Sequence, residues 1–219
     1  MTMSKWVKSE SVVTSTDDSP SPIAAAAVSP KPGGPLRPRL EAVQKRIENQ
    51  IARLDDLLSS LKMRDDETFR KLMASIKESN AQYSTVLSAE LAKARQVSRV
   101  VSIARVALEK IHGRLASVSD FGDLVIVLSP AMAVVKSVRS SLVPFVPEME
   151  EDLGIISELL SGILVDAGQV GGYTINFETA NEEAVRLVDE ASSTVEHKMK
   201  EELPGIPDLP MVPTTTKVA

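Results

Sequence analysis

From residue 36 onward, apolar side chains recur with helical spacing. Leu36, Leu40, Val43, Ile47, Ile51, Leu54, Leu58 and Leu61 step by 4, 3, 4, 4, 3, 4 and 3. The mean step lies near the 3.6 residues of an α-helical turn, which predicts one long amphipathic helix. The acidic run Asp65-Asp66-Glu67 suits the positive end of a helix macrodipole. A second helix is therefore expected to begin at the acidic run and to continue to Val118. Its stripe is Phe69, Leu72, Ile76, Tyr83, Leu87, Leu91, Ala94, Val97, Val101, Leu108, Ile111, Leu115 and Val118, with no proline and only Gly113 as a weak point. At 1.5 Å per residue the two helices would be roughly 40 Å and 80 Å long. The expected fold class is all-α: an elongated antiparallel helical hairpin over 36–118, followed by shorter helices.

Beyond residue 118 the pattern shortens. Residues 120–128 and 131–143 read as two helices broken at Pro130, and Pro144 and Pro147 bracket a turn. A helix with an acidic start is expected over 148–167, completing a core of short helices at 120–169. Gly171-Gly172 marks a linker over 170–178. Thr179 and Glu182 form a capping box for an acidic helix over 179–202, whose stripe Val185, Val188, Ala191, Val195 and Met199 is thin enough to dock reversibly. The ends differ in texture. Residues 1–35 are rich in Ser, Pro, Thr and Ala, cannot bury enough apolar surface to offset their ordering entropy, and are expected to be a disordered tail. Residues 203–219 form a proline-rich tail. Within the first, Trp6 and Val7 between Lys5 and Lys8 read either as a small interfacial anchor or as part of a featureless tail.

Composition narrows the chemistry. Aromatic residues make up 3% of the chain and cysteine is absent, so thiol catalysis, disulfides and Cys-ligated zinc are excluded. The lack of cysteine is compatible with an intracellular location. No run approaches the roughly 20 apolar residues that span a bilayer, and no apolar segment after Lys5 and Lys8 makes a secretion signal. Any membrane contact is expected to be peripheral. His112 and His197 are isolated, and neither a phosphate-binding Gly-Lys-Ser/Thr loop nor a Gly-x-Ser-x-Gly elbow occurs. The acidic group Glu148, Glu150, Glu151 and Asp152 reads as a solvated helix start. No catalytic residue, cofactor site or metal site is expected, and the chain is not read as an enzyme.

Charge is more telling than composition. The net charge of -5 conceals a division. Residues 36–118 carry 16 basic and 10 acidic groups, a net of +6, whereas residues 119–219 carry 6 basic and 17 acidic, a net of -11. Such asymmetry points to partners, or to two solvated surfaces of unlike composition. On the first helix Arg39, Arg46, Arg53 and Arg64 line one flank of the apolar seam and Glu41, Glu48 and Asp55 the other. That helix could pair with copies of itself or with its own hairpin partner. Nucleic acid is a poor ligand for this surface, because only Phe69 and Tyr83 could stack on bases. An anionic membrane surface suits it better, each Lys or Arg contributing about 1 kcal/mol there.

These features in order resemble the ESCRT-III family, and within it the archaeal CdvB-like cell-division branch. The stretch Leu36-Arg37-Pro38-Arg39-Leu40-Glu41 with Arg46 to Leu54 is similar to its basic first helix, and Arg64-Asp65 before Phe69 to its hairpin turn. Ala107-Leu108-Glu109-Lys110-Ile111 with Arg114-Leu115 resembles the end of its second helix. Ser129-Pro130-Ala131-Met132, Val134-Val135-Lys136 and Val146-Pro147-Glu148-Met149 resemble its third and fourth helices. The segment Leu203-Pro204-Gly205-Ile206-Pro207-Asp208-Leu209-Pro210 is similar to the proline motif by which such tails bind MIT domains. The chain looks like a shorter paralogue without a winged-helix tail.

The resemblance implies a subunit that polymerises with itself and with paralogues on the inner face of the plasma membrane at the division site. Arg37, Arg39, Lys45, Arg46, Arg53 and Arg64 would make membrane or polymer contacts. Leu203, Pro204, Ile206, Pro207, Leu209 and Pro210 would enter the MIT domain of a CdvC-like AAA ATPase. The +6/-11 division suggests autoinhibition, with the acidic half folded over the basic hairpin. The alternative is a passive coiled-coil scaffold with no membrane-remodelling role.

Overall fold

The computed structural model describes residues 35–118, 121–171 and 177–207. Trp6, Val7, Leu209 and Pro210 lie outside them, as does most of each expected tail. Among the described residues there are five α-helices and one short 3-10 turn, and no strand: α1 Leu36–Lys77, α2 Ala81–Ala116, α3 Phe121–Leu142, the turn Pro147–Met149, α4 Glu150–Gly171 and α5 Phe177–Glu202. The fold is all-α, as expected.

The first two helices form the antiparallel hairpin, but its turn lies elsewhere than Arg64-Asp65. α1 continues through the acidic run for three more turns, because residues 62–77 contain neither glycine nor proline. Asp65 also faces inward against Arg95 of α2. The chain reverses at residues 78–80. Ser79 takes the left-handed conformation, φ 58. The amide of Asn80 donates to the Ser75 carbonyl at 3.0 Å and that of Ser79 to Ile76 at 3.0 Å, the paired closing bonds of a Schellman motif. The Asn80 side chain then caps α2 by accepting from the Tyr83 amide at 3.2 Å, as N-cap residues do. A strong stop and start signal in Glu78-Ser79-Asn80 thus outweighs a weak dipole signal at 65–67.

α3 corrects the expectation of two helices broken at Pro130, since the proline lies inside one continuous helix. It leaves the Ile126 carbonyl without its helical donor, at a cost of about 3 kcal/mol. Leu124, Leu128, Ala131, Val134, Val135, Val138 and Leu142 are all buried on α3's inner face. Burial of a Val or Leu contributes about 1.5–3 kcal/mol each, so packing outweighs the break. The same richness revises the reading that no segment approaches spanning length. Residues 123–142 are long and apolar enough to cross a membrane, with a mean hydropathy of 1.4, but 56% of that stretch is buried inside the protein. Here it is the central helix of a bundle.

Helix α4 runs to Gly171, past the expected linker start at 170, and α5 begins at Phe177. Thr179 is therefore inside the first turn of α5 and not at its cap. The buried stripe of α5 is Ala180, Ala184, Leu187, Ala191 and Val195, while Val185 is 59% exposed. Alanines let this helix lie close to α2 and α3 while burying little area. One main core joins α1, α2, α3, α4 and α5, and a second small cluster of Leu72, Leu87 and Leu91 fills the hairpin tip.

Candidate functional site

The basic hairpin and the acidic helices meet along two antiparallel contacts. On the α1 side, Arg39 pairs with Asp166 of α4, and Arg53 pairs with Asp152 near the other end of the same helix. Gln50, buried in the seam between them, donates to Asp152 at 3.1 Å. On the α2 side, Arg99 pairs with Glu196, Lys110 with Glu190 at 2.6 Å and Arg114 with Glu183. A looser pair at 3.6 Å joins Lys62 to Glu202. In each of these six pairs the cation belongs to the hairpin and the anion to α4 or α5. Hydrogen bonding to Lys110, with its charge second, holds the Glu190 carboxyl below the ordinary carboxylate range.

Other acids are used inside the hairpin. Asp55 accepts from Arg105 at 2.9 Å and Glu90 from Arg64 at 2.7 Å. The Asp55 hydrogen bond is the main cause raising the Arg105 pKa above its usual value. Flank pairing between the two helices of one hairpin, one of the two readings of the sequence, is thus realised.

Of the cations expected on the surface, Arg37, Lys45, Arg53 and Arg64 are exposed, with Lys45 held by Glu48 at 2.8 Å, and Arg46 is half-buried. Arg39 is turned inward and only 3% exposed. A stripe computed on an isolated helix places it beside Arg46, but α4 covers that stretch of α1.

A third contact engages the tail. Arg95 grips Asp65 through Nε at 2.7 Å and Nη2 at 3.0 Å, and its remaining Nη1 donates to the Pro204 carbonyl at 2.6 Å. The guanidinium lies 5.9 Å from the centroid of the Phe69 ring, within cation–π range. Ile206 packs on Leu72, Leu87 and Leu91 with Phe69 and Ile76. Leu203 and Pro207 are half-buried beside it. The four described residues of the expected recognition motif thus lie at the hairpin tip. Between this contact and the well-packed part of α5 lies a cavity of about 520 Å³, floored by Leu58, Leu61, Ala94, Val106, Val195 and Met199.

The sequence reading found the charge division but missed which residues express it. Arg99, Lys110 and Arg114 on α2 carry more of the contact than the α1 stripe. Their spacing, with 110 and 114 one turn apart and 99 three turns earlier, was the visible signal, matched by Glu183 and Glu190 at i, i+7. The role of Arg95 had no such signal, because both of its partners are distant in sequence. Among the described residues no group of three or more His, Cys, Asp or Glu side chains could hold a metal ion.

An all-α hairpin covered by helices of the same chain is consistent with an ESCRT-III-like fold. Comparison with known proteins agrees. The chain is 31% identical over 178 residues to cell division protein B1 of Sulfolobus acidocaldarius, covering 81% of this chain and 83% of that protein. It is 25% identical over 175 residues to cell division protein B of the same organism, covering 80% of this chain and 67% of that protein. No family model matches, and no solved structure does. The chain belongs to the CdvB family of ESCRT-III-like cell-division proteins.

Proposed function

We propose that this protein is a cell-division subunit that polymerises on the cytoplasmic face of the membrane at the division site and constricts it. In this reading the described conformation is the closed, inhibited one. The observation that carries it is the one-way polarity of the six ion pairs: cations of the hairpin are neutralised by anions of α4 and α5. Opening would free Arg53, Arg99, Lys110 and Arg114 from their carboxylate partners, adding their charge to that of Arg37, Arg46 and Arg64 for anionic lipid and for neighbouring subunits. A few arginines bind lipid weakly, and a polymer multiplies them through avidity. The tail is proposed to bind the MIT domain of a CdvC-like AAA ATPase, which would compete with the hairpin tip for Pro204 and Ile206.

The test uses the full chain carrying Glu183→Gln, Glu190→Gln and Glu196→Gln together. Exposed pairs are individually weak, so removing the carboxylate from three of them together should shift the balance away from the closed state. The expected result is tighter co-sedimentation with anionic vesicles, and electron micrographs of filaments coating and deforming them. If neither the parent nor the variant forms filaments or binds vesicles at low salt, the protein is a passive scaffold.

A further inference from the structure

Arg39 differs from every other hairpin cation in the contact. The side chains of Arg53, Lys62, Arg99, Lys110 and Arg114 are 31–65% exposed, whereas that of Arg39 is 4% exposed. Its Nη1 meets Asp166, whose own side chain stays 30% exposed. Its Nε has no hydrogen-bond partner among the described residues. The guanidinium crosses α4 over Gly162, where a Cβ would lie 2.7 Å from Nη2. Any side chain at 162 would force the arginine aside, so the backbone of α4 provides its passage.

A guanidinium taken out of water and given one carboxylate, with an N–H left over, is incompletely compensated. The pair holds α4 only while both partners are present, and losing Asp166 alone would leave a buried charge without compensation. Departure of α4 would free all five donors of the planar fork, which match phosphate oxygens. Arg46 follows two turns on along the same side of α1, with Leu36 one turn before Arg39 and Leu40 next to it, both only partly buried. The first turn of α1 contains no acidic residue, so what α4 uncovers is cationic and apolar, as a lipid interface requires.

We infer that Arg39 is a reserve cation: it latches α4 to the start of α1 while the chain is closed, and it becomes a phosphate ligand on an anionic lipid surface once α4 leaves. One guanidinium then serves both states, and lipid binding opposes reclosure. The inference rests on the lipid-binding reading given above.

The experiment compares the full chain with Asp166→Asn and Arg39→Met, measuring amide exchange across residues 153–167 and co-sedimentation with vesicles of mixed anionic and zwitterionic phospholipid. Both substitutions should speed exchange in α4. Asp166→Asn should bind vesicles more tightly than the parent. Arg39→Met should bind about fivefold more weakly than Asp166→Asn, the worth of one arginine at an anionic surface. Gly162→Ala, which displaces the arginine without altering any charge, should follow Asp166→Asn and serves if that variant folds poorly. Equal vesicle affinity in two equally open variants would reduce Arg39 to a latch and overturn the proposal. Unchanged exchange in both Asp166→Asn and Gly162→Ala would overturn the latch itself. If Asp166→Asn self-associates but ignores vesicles that the charge-neutralised α5 variant still binds, the arginine serves a second copy, and the lipid assignment fails while the general reading stands. Failure of every form to bind vesicles would remove that general reading instead.

Discussion

Arg95 and Arg64 sit near each other on opposite helices of one hairpin, and each makes an ion pair across it. Their surroundings set very different energies. Arg95 is 13% exposed and its partner Asp65 7%, whereas Arg64 is 63% exposed and Glu90 43%. Removal of Arg95 strands a buried carboxylate, and such breaks cost about 3–5 kcal/mol. Removal of Arg64 leaves Glu90 in water, at a cost of about 1 kcal/mol or less. Denaturant titration of Arg95→Ala and Arg64→Ala should show this contrast, and equal losses would mean that Asp65 is satisfied by another donor. Neither value could be read from the sequence. Asp65 there looks like an acidic helix start, and only the position of Arg95 thirty residues later turns it inward. The buried state of Arg39 was hidden for the same reason, since helical spacing fixes a side chain's direction on its own helix and says nothing of what lies opposite.

The helices themselves were more legible than their ends. The long apolar stripe of 36–61 and the richness of 123–142 dictated helices that the structure contains, and tertiary packing overrode local signals only at their boundaries. Pro130 reads as a break in the sequence because its local cost is visible there and the core that offsets it is not. The expected stripe of α5 agrees with the structure at Ala191 and Val195, which are buried, and fails at Val185, which faces outward while Ala180 and Ala184 face inward. Ala191 is fully buried, so leucine there should overpack the contact with α2 and α3 and cost about 1–3 kcal/mol. Val185→Asp, on the exposed side, should cost almost nothing. Amide exchange over 180–199 checks the pair: Ala191→Leu should loosen α5 and Val185→Asp should not. The reverse order would restore the valine stripe.

For the whole molecule, the charge division seen in the sequence is expressed as a contact between its two halves. A closure made largely of exposed pairs weakens with salt, because surface charges are screened beyond about 10 Å at 0.1 M ionic strength. It also depends on pH. Glu190 has a lowered folded-state pKa, so its contribution to docking is complete above the ordinary glutamate value of about 4.3 and is lost as pH falls through the lowered one. Docking of α5 should therefore be firm from neutral pH down to the ordinary carboxylate range and loosen below it. Amide exchange of α5 against pH, compared with Glu190→Gln, measures this. An identical acid profile in the variant would assign the loss to other carboxylates.

The order of the helices along the chain has a consequence in time. A ribosome completes α1 and α2 before any residue of α4 or α5 exists. At about 5–20 residues per second, the stretch from residue 118 to residue 202 follows over roughly 4–17 s. Hairpin contacts are local and form quickly, so each nascent chain presents its unneutralised arginines for seconds before their counter-charges emerge. In every copy, then, the cations of the hairpin are made before the carboxylates that pair with them.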